Sequence, residues 1–341
     1  MKLAVNLVAR EAAPLAEAAE ALGYDLALAP EGYRNDAVSV LGLVAGRTRR
    51  IGIGSAVMQI PARPPASAAL TAATLDALSQ GRFRLGLGLS NPDVSEGWYG
   101  VPFDRPLARA REYVEVVRAA LAGGPVTYRG EHFVLPPADR SAAPLHLYSE
   151  DHRPDLPIYL AAVGPRSLRL AGETADGWIG VFTSPDGVRE AVREIGRGRA
   201  ARGLGLDGFE VVPCLPTAVA DDVGEAVDRL RRQYCYLMGI GDPATNFYCG
   251  LARRLGFGDS VEEMASHLKA GDRAAAEAAV PADFVDMTAL VGPEGRIADR
   301  MREYARAGVT TLSIMVSAPD VSLRGRLEIL RTCARAASRS W

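Results

Sequence analysis

The sequence of 341 residues predicts one domain, residues 1–341, folded as a (β/α)8 TIM barrel with insertions. Short apolar runs rich in β-branched residues alternate with longer segments of helical periodicity. This alternation is typical of a parallel sheet built from strand–helix repeats. Eight such runs occur, each followed by a predicted helix. Eight strand–helix units favour a closed barrel over an open, doubly wound sheet.

The predicted strands are apolar along almost their whole length, as expected for strands covered on both faces. They comprise residues 2–8, 25–30, 50–58, 82–90, 157–163, 177–182, 209–219 and 310–316. The predicted helices comprise residues 11–22, 37–46, 64–79, 107–122, 165–173, 185–202, 221–238 and 322–337.

Two insertions interrupt the repeat, at about residues 123–156 and 239–293. The first contains VTYRGEHFVLPP, whose RGE centre between apolar runs predicts a β-hairpin. The second contains amphipathic helices such as SVEEMASHLKAGDRAAAEAAV. Insertions near strand carboxyl ends commonly shape a substrate pocket, and a dimer interface is the alternative use of the extra helices.

Charge and cysteine content narrow the function class. Lysine and arginine total 39 against 41 acidic residues, a net charge of −2, so no overall field would attract nucleic acid or an anionic membrane. No apolar run reaches the roughly 18 residues of a membrane-spanning helix. The four cysteines lie far apart, without metal-ligand or disulfide-frame spacing. We therefore expect a cytoplasmic protein with a small-molecule substrate.

The stretch GRFRLGLGLSNPD, residues 81–93, resembles a phosphate loop only superficially. A Rossmann fingerprint requires GxGxxG after the first strand, whereas this run is the fourth strand and lacks the third glycine. Gly86 and Gly88 alternate with leucines and so face one side of the strand. Two interpretations remain: the glycines allow close packing, or they let a flat ligand approach the backbone.

The better candidate for an anion site is AAVGPRS, residues 161–167. A predicted strand runs into Gly164, and Pro165 stands at the first position of a helix. Free N–H groups at such a helix end bind phosphate. Arg166 adds a positive charge. The same pattern also occurs at helix starts that bind no ligand.

Polar residues follow two further strands. Beyond the second strand, we expect Asp36 to cap the next helix and Glu31 to bind a ligand. Beyond the fourth strand, NPDVSEGWYG offers Asp93, Glu96 and Tyr99 for a pocket wall with a titratable group. A turn with a packed tryptophan is the alternative interpretation of that segment.

The histidines do not form a recognisable catalytic or metal-binding pattern. All four, His132, His146, His152 and His267, fall within the two insertions. Neither a metal triad nor a Ser-His-Asp arrangement can be argued from their spacing, so we expect no metal site. A chain without reactive groups of its own favours an organic cofactor that carries the chemistry.

Four blocks of sequence together carry a resemblance to a known family. They are residues 51–121 (from IGIGSAVMQIPARPP to VEVVRAAL), PIYLAAVGPRSLRLAGETADGW, NFYCGLARRLGFG and LVGPEGRIADRMREYARAGVTTLSIMV. These blocks resemble the bacterial luciferase-like flavin superfamily, and within it the coenzyme F420-dependent oxidoreductase branch. The resemblance covers almost the whole chain.

The resemblance implies a barrel that binds its cofactor at the C-terminal face. The ring would lie against the third and fourth strands, near Ala56, Val57, Gly88 and Ser90, with a cis peptide bond at Ala56–Val57. Phosphate would lie at the Gly164 turn, contacted by Ala162, Val163, Gly164 and Arg166. A homodimer is also implied.

Two departures from the family pattern alter what is expected of the site. Some relatives place a proton-transferring histidine directly after an acidic residue at the end of the second strand, whereas Gly32 follows Glu31 here. The branch also tends to read SGPQV after the fourth strand, where this chain has NPDV after Ser90. Asn91 and Asp93 therefore indicate either altered substrate chemistry or a variant turn.

The expected function is hydride transfer between the C5 carbon of F420 and a carbonyl, imine or alcohol substrate. Glu31 would bind a cofactor hydroxyl, and Glu31, Asp93, Glu96 and Tyr99 are the candidate catalytic residues. One alternative is an FMN-dependent monooxygenase that uses reduced flavin and oxygen. A barrel that binds flavin without turnover is an alternative of another class.

Overall fold

The computed structural model describes residues 1–32, 35–138, 141–148 and 153–339. Its strands are β1 Lys2–Asn6, β2 Leu26–Ala29, β3 Gly52–Ser55, β4 Met58–Gln59, β5 Phe83–Gly88, β6 Tyr128–Arg129, β7 Val134–Leu135, β8 Ile158–Ala161, β9 Gly177–Val181, β10 Glu210–Val219, β11 Leu290–Gly292 and β12 Thr311–Met315. The first seven helices are α1 Ala12–Ala21, α2 Ala37–Arg47, α3 Pro65–Leu78, α4 Pro92–Ser95, α5 Pro106–Leu121, α6 Pro165–Thr174 and α7 Pro185–Ala200. The others are α8 Val223–Met238, α9 Phe247–Arg254, α10 Gly258–Lys269, α11 Arg273–Ala278, α12 Ala282–Thr288, α13 Glu294–Arg306 and α14 Leu323–Ser338.

The predicted strands correspond to β1, β2, β3, β5, β8, β9, β10 and β12, all parallel within the main sheet. The predicted fold class, a (β/α)8 barrel, is confirmed. The predicted hairpin is also confirmed, because β6 pairs antiparallel with β7. The predicted third strand is divided, with β4 continuing beyond β3 and pairing with β5.

Contacts divide the chain into two compact units. The first comprises Met1–Asp25, Gly180–Val192 and Val211–Trp341, and the second comprises Leu26–Ile179 and Arg193–Glu210. The assignment of a single domain therefore stays a prediction.

The second unit contains the parallel strands in the order β2-β3-β5-β8-β9. The register aligns Ala29 with Ser55 and Gly86 with Tyr159. Helices α2 to α6 belong to this unit. Their inward faces are rich in alanine, as in α3, where Ala68, Ala69 and Ala72 are fully buried. Small side chains let these helices approach the sheet closely.

The first unit contains the sheet order β11-β10-β12-β1. The second insertion folds within this unit as the short helices α9 to α12. They pack around an aromatic cluster in which Phe182 stacks on Tyr234, with ring centroids 4.2 Å apart, and Phe284 lies edge-on to both rings. The amphipathic helices of the second insertion therefore bury their apolar faces on α8, which carries Tyr234.

Candidate cofactor site

The ends of β2 and β4 meet at one carboxylate in the second unit. Glu31 Oε1 accepts hydrogen bonds from the Gln59 N–H at 3.0 Å and from Arg63 Nη1 at 3.1 Å. Its Oε2 accepts from the Ala37 N–H at 3.3 Å and from Arg63 Nη2 at 2.8 Å. Both oxygens therefore have two protein donors, which matches the acceptor capacity of a carboxylate. The Glu31 side chain is only 3% exposed.

Arg63 is held at two points, its guanidinium by Glu31 and its backbone by Tyr113. Burial alone lowers the pKa of Arg63, but hydrogen bonds and charge from Glu31 outweigh it and the pKa lies above its ordinary value. The backbone carbonyl of Arg63 accepts a hydrogen bond of 3.1 Å from the buried hydroxyl of Tyr113. Because its side chain keeps 17% of its surface exposed, this cation is both oriented and accessible.

The side chain of Gln59 extends the hydrogen-bonded network to the end of β5. Its Oε1 accepts a hydrogen bond of 2.7 Å from Ser90 Oγ, and its Nε2 lies 3.4 Å from the Glu31 carbonyl oxygen. Ser90 has a φ of +69°, a left-handed conformation that is uncommon for residues with a side chain. In that conformation the Ser90 side chain is bonded to Gln59.

Both glycines of β5 are required by close approach of the third strand. A Cβ on Gly86 would lie 1.9 Å from the Ser55 carbonyl oxygen, and a Cβ on Gly88 would lie 2.4 Å from Val57 Cγ2. Ser55 Oγ also bonds the Gly86 backbone, donating to its carbonyl oxygen at 2.8 Å and accepting from its N–H at 3.0 Å. These contacts supply the packing reason for both glycines. The Ala56–Val57 peptide bond is cis, as the resemblance implies.

The segment after β5 forms a short helix whose residues have separate roles. Asn91 caps α4 by accepting a hydrogen bond of 2.9 Å from the Val94 N–H. Asp93 is exposed in the first turn of that helix. Glu96 is exposed and accepts from the Phe103 N–H at 2.9 Å. NPDV is therefore a capped helical turn, so the variant-turn interpretation applies to Asn91.

Tyr99 differs from these carboxylates because it is half-buried near the Glu31–Arg63 pair. Burial and the charge of Glu31 raise the pKa of the Tyr99 hydroxyl above its ordinary value, while Arg63 opposes the shift. The hydroxyl therefore stays protonated at neutral pH and is able to donate a hydrogen bond.

Asp36 accepts a hydrogen bond from the Ser39 N–H at 2.8 Å, which confirms the predicted helix cap.

Two backbone N–H groups of the turn at Gly164 donate hydrogen bonds to the side chain of Ser167. Ser167 Oγ accepts from the Gly164 N–H at 3.1 Å and from the Val163 N–H at 3.3 Å. The carbonyl of Ala162 accepts from the buried Trp178 indole at 2.8 Å. Arg166 is exposed in the first turn of α6. The N–H groups of Arg166 and Ser167 belong to the first turn, where helices leave donors without intrahelical partners.

The structure adds Gln59, Arg63 and Tyr113 to the predicted site residues. The sequence signal for the first two was their place in QIPARPP, directly beyond the third strand.

Among the described residues, no cluster of three histidine, cysteine or acidic side chains is arranged to bind a metal. His152 lies outside the described residues. No helix in the described part of the chain is long and apolar enough to cross a membrane.

Comparison with known proteins assigns the chain to a family. Residues 3–311 match the model described as luciferase-like monooxygenase. The chain belongs to this luciferase-like family. A Mycobacterium tuberculosis relative, provisionally named a coenzyme F420-dependent oxidoreductase, is 34% identical over 316 residues, which are 90% of this chain and 91% of the relative. A 5,10-methylenetetrahydromethanopterin reductase of Archaeoglobus fulgidus is 29% identical over 86% of this chain and 85% of its own.

Solved structures of the luciferase-like fold cover almost the whole chain. The coenzyme F420-dependent tetrahydromethanopterin reductase of Methanopyrus kandleri superimposes with a TM-score of 0.84 at 23% identity, over 99% of this chain and 98% of that one. An F420-dependent secondary alcohol dehydrogenase superimposes with a TM-score of 0.77 at 19% identity, over 98% of both chains. At these identities, the likeness establishes the fold.

Proposed function

We propose that this luciferase-like protein is a coenzyme F420-dependent oxidoreductase acting on a small organic carbonyl, imine or alcohol. The observation that carries the proposal is the Mycobacterium tuberculosis relative, 34% identical over nine-tenths of both chains. The relative's provisional name specifies F420, whereas the family model is described as luciferase-like monooxygenase and specifies no cofactor.

The residues present fit the chemistry of a phosphorylated deazaflavin. On the ring side, Ala56, Val57, Gly88 and Ser90 would hold the cofactor, because Val57 and Gly88 are in contact at the ends of neighbouring strands. On the phosphate side, Ala162, Val163, Gly164 and Arg166 form the turn into α6. Since Ser167 already accepts from the Val163 and Gly164 N–H groups, the free first-turn N–H groups and the Arg166 guanidinium are the phosphate donors.

The bound cofactor supplies or accepts the hydride at its C5 carbon, and the protein must supply the proton and the orientation. Of the predicted acids, we assign proton donation to Tyr99, because Glu96 and Asp93 are exposed and Tyr99 is close to Arg63. The Arg63 charge stabilises the phenolate that remains when Tyr99 gives up its proton. Glu31 is assigned as a positioning residue, since its acceptor positions are filled by Arg63, Gln59 and Ala37.

We further propose that the protein acts as a homodimer through the outer faces of α2 and α3. Leu43, Leu70 and Leu78 on these faces are 52%, 55% and 60% exposed. The only charged residue of α3, Asp76, is buried. A surface with few charged residues and several exposed leucines is typical of the core of a protein–protein interface.

A cytoplasmic location is supported by four buried free cysteines, Cys214, Cys235, Cys249 and Cys333.

The test of cofactor identity measures binding of F420 and of FMN to the purified full chain, each in its oxidised and reduced form. We expect tight binding of F420 and weak binding of FMN. Tight binding of FMN alone, with oxygen consumed when reduced FMN and substrate are present, would make the protein a monooxygenase. Binding of F420 with no change in its redox state across a panel of ketones, imines and secondary alcohols would indicate a non-catalytic barrel.

A further inference from the structure

The β6–β7 hairpin of the first insertion is attached to α5 at its turn. Glu112 of α5 accepts hydrogen bonds from the N–H groups of Glu131, His132 and Phe133, at 2.9, 2.8 and 3.1 Å. The turn approaches this carboxylate closely at Gly130, where a Cβ would lie 2.3 Å from Glu112 Oε2. Because three backbone donors share one carboxylate, the turn has a defined position on α5.

The residue after Glu112 connects the hairpin to the Glu31–Arg63 pair. The rings of Tyr113 and Phe133 meet edge-on, with centroids 5.9 Å apart and planes at 70°. The Tyr113 hydroxyl donates to the Arg63 carbonyl oxygen at 3.1 Å, and both terminal nitrogens of Arg63 donate to Glu31. A continuous series of contacts therefore runs from the hairpin turn to the Glu31 carboxylate.

Tyr113 is suited to hold its neighbours in place. It is fully buried, and a ring in a close-packed interior has little freedom to move. Burial raises the pKa of its hydroxyl well above the ordinary value, although the charge of Arg63 opposes that shift. The hydroxyl therefore keeps its proton through the neutral range and remains a donor to the Arg63 carbonyl.

The charge of Arg63 acts on Tyr99, the proton donor assigned above. Burial and the charge of Glu31 raise the pKa of the Tyr99 hydroxyl, whereas Arg63 lowers it. These two charges oppose each other, and the effect of each weakens with distance. A displacement of Arg63 away from Tyr99 therefore leaves the phenolate less stabilised.

We propose that Tyr113 is a positioning residue through which the β6–β7 hairpin sets the place of Arg63 in the site. This inference rests on the proposed function, where Arg63 is assigned to stabilise the Tyr99 phenolate. The first insertion then contributes to proton transfer through α5, by way of a hydroxyl that itself does not touch the reacting atoms.

The first test compares two removals of a buried hydroxyl. Tyr113→Phe deletes the donor to Arg63 and keeps the ring beside Phe133. The matched control is Tyr24→Phe, because the Tyr24 hydroxyl donates to the Leu330 carbonyl oxygen at 2.9 Å within the other unit. We expect Tyr113→Phe to lower kcat for carbonyl reduction about two- to tenfold, the effect of one hydrogen bond, with KM within about twofold of wild type. Tyr24→Phe should leave kcat unchanged.

A second measurement needs neither cofactor nor substrate. The alkaline titration of Tyr99 is followed in the purified full chain, as the phenolate absorbance that is lost when Tyr99→Phe is added to each variant. The midpoint should lie at higher pH in Tyr113→Phe than in wild type, because Arg63 then stabilises the phenolate less. Tyr24→Phe should leave the midpoint unchanged, although it loses a similar hydrogen bond.

The contribution of the hairpin is tested with Phe133→Ala, which removes the ring contact and keeps the Tyr113 hydroxyl. We expect this variant to change kcat and the Tyr99 midpoint in the same direction as Tyr113→Phe. The double variant should add little to Tyr113→Phe alone, because both changes interrupt one series of contacts. Fully additive effects would overturn the route from the hairpin through Tyr113.

The two measurements together separate the positioning role from the proposed function. A Tyr99 midpoint that is unchanged in Tyr113→Phe would overturn the positioning role, whether or not kcat falls. A midpoint that rises while kcat stays constant would support the positioning role and remove Tyr99 as the proton donor. If the protein uses FMN instead of F420, the proposed function fails, and the titration of Tyr99 still decides whether Tyr113 positions Arg63.

Discussion

The Glu31 carboxylate accepts hydrogen bonds from both terminal nitrogens of Arg63, at 3.1 Å from Nη1 and 2.8 Å from Nη2. The two residues are 32 positions apart in the sequence. This pair joins the end of the second strand to the loop beyond the third. Through Gln59 and Ser90, the same hydrogen-bonded network reaches the end of β5. Hydrogen bonds therefore link three strand ends to one carboxylate.

The first prediction concerns the stability that this carboxylate confers. Glu31→Ala leaves Arg63 partly buried without its counter-ion, and breaking such a pair costs about 3–5 kcal/mol. Its matched control is Glu225→Ala, since Glu225 pairs with Arg229 while both side chains are about half exposed. The control should cost about 0.3–0.5 kcal/mol. Urea denaturation measures both, and equal losses would contradict the special role of Glu31.

The second prediction separates the two glycines of β5. Gly86→Ala brings its Cβ against the Ser55 backbone oxygen, which cannot move without shifting β3, so we expect little folded protein. Gly88→Ala meets only the Val57 side chain. Adding Val57→Ala should restore the stability of Gly88→Ala but not that of Gly86→Ala. Thermal unfolding of the single and double variants checks this, and rescue of both or of neither would count against the packing assignment.

The fold follows from local signals that the sequence carries directly. Eight apolar runs and the helices between them identify the strand–helix repeat, and RGE in the first insertion identifies the hairpin β6–β7. The Asp36 cap is equally local, because it joins positions three residues apart. Packing of the second insertion on Tyr234 could not be derived, since amphipathic helices fit more than one apolar surface.

The site was less accessible to sequence reasoning for a physical reason. Glu31 was identified, but a carboxylate near a strand end is equally suited to bind a ligand or an arginine of the protein. The choice depends on Arg63, whose distance from Glu31 is set by the whole sheet. Likewise, the phosphate donors predicted at Val163 and Gly164 are bonded to Ser167, a partner three or four residues away that competes for the same N–H groups.

The third prediction is a dependence on pH in the first insertion. Glu112 accepts from the N–H groups of Glu131, His132 and Phe133. Burial raises the pKa of Glu112, but these hydrogen bonds outweigh burial and the pKa lies below its ordinary value of 4.5. A carboxyl whose pKa is lower in the folded state stabilises that state above its unfolded pKa. Its contribution is lost as the pH falls through the folded pKa.

Amide hydrogen exchange of the hairpin measures this effect. The protection factors of the three N–H groups should decline below about pH 4.5 in wild type. Glu112→Gln should lower them at neutral pH and remove most of the pH dependence. The control is Glu115→Gln, because Glu115 bonds the Tyr128 hydroxyl and not the turn amides. A wild-type hairpin whose protection is constant to pH 3 would contradict the assignment.

The fourth prediction tests the proposed dimer face. Leu70→Glu places a charge in the centre of the α2–α3 face, and we expect the protein to become monomeric in light scattering at micromolar concentration. Leu204→Glu is the control, because Leu204 is 45% exposed in the segment after α7, outside that face. A Leu70→Glu variant with the mass of wild type would move the interface elsewhere, and a monomeric wild type would remove it.

The last prediction identifies the proton donor. Tyr99→Phe removes the hydroxyl and keeps the ring, so the affinity for F420 and the thermal stability should stay near wild type. A positioned general acid contributes roughly 10²–10⁴ in rate, and we expect kcat for carbonyl reduction to fall by at least about a hundredfold. Asp93→Asn and Glu96→Gln remove the competing acids from exposed positions and should change kcat less than threefold.

The pH profile gives Tyr99 a signature that a structural role would not produce. Because burial and the charge of Glu31 keep the hydroxyl protonated through neutral pH, kcat in the reducing direction should be flat there and fall only at alkaline pH. Tyr99→Phe should abolish that alkaline limb. If Glu96→Gln or Asp93→Asn loses the rate instead, the proton comes from the loop carboxylate and not from Tyr99.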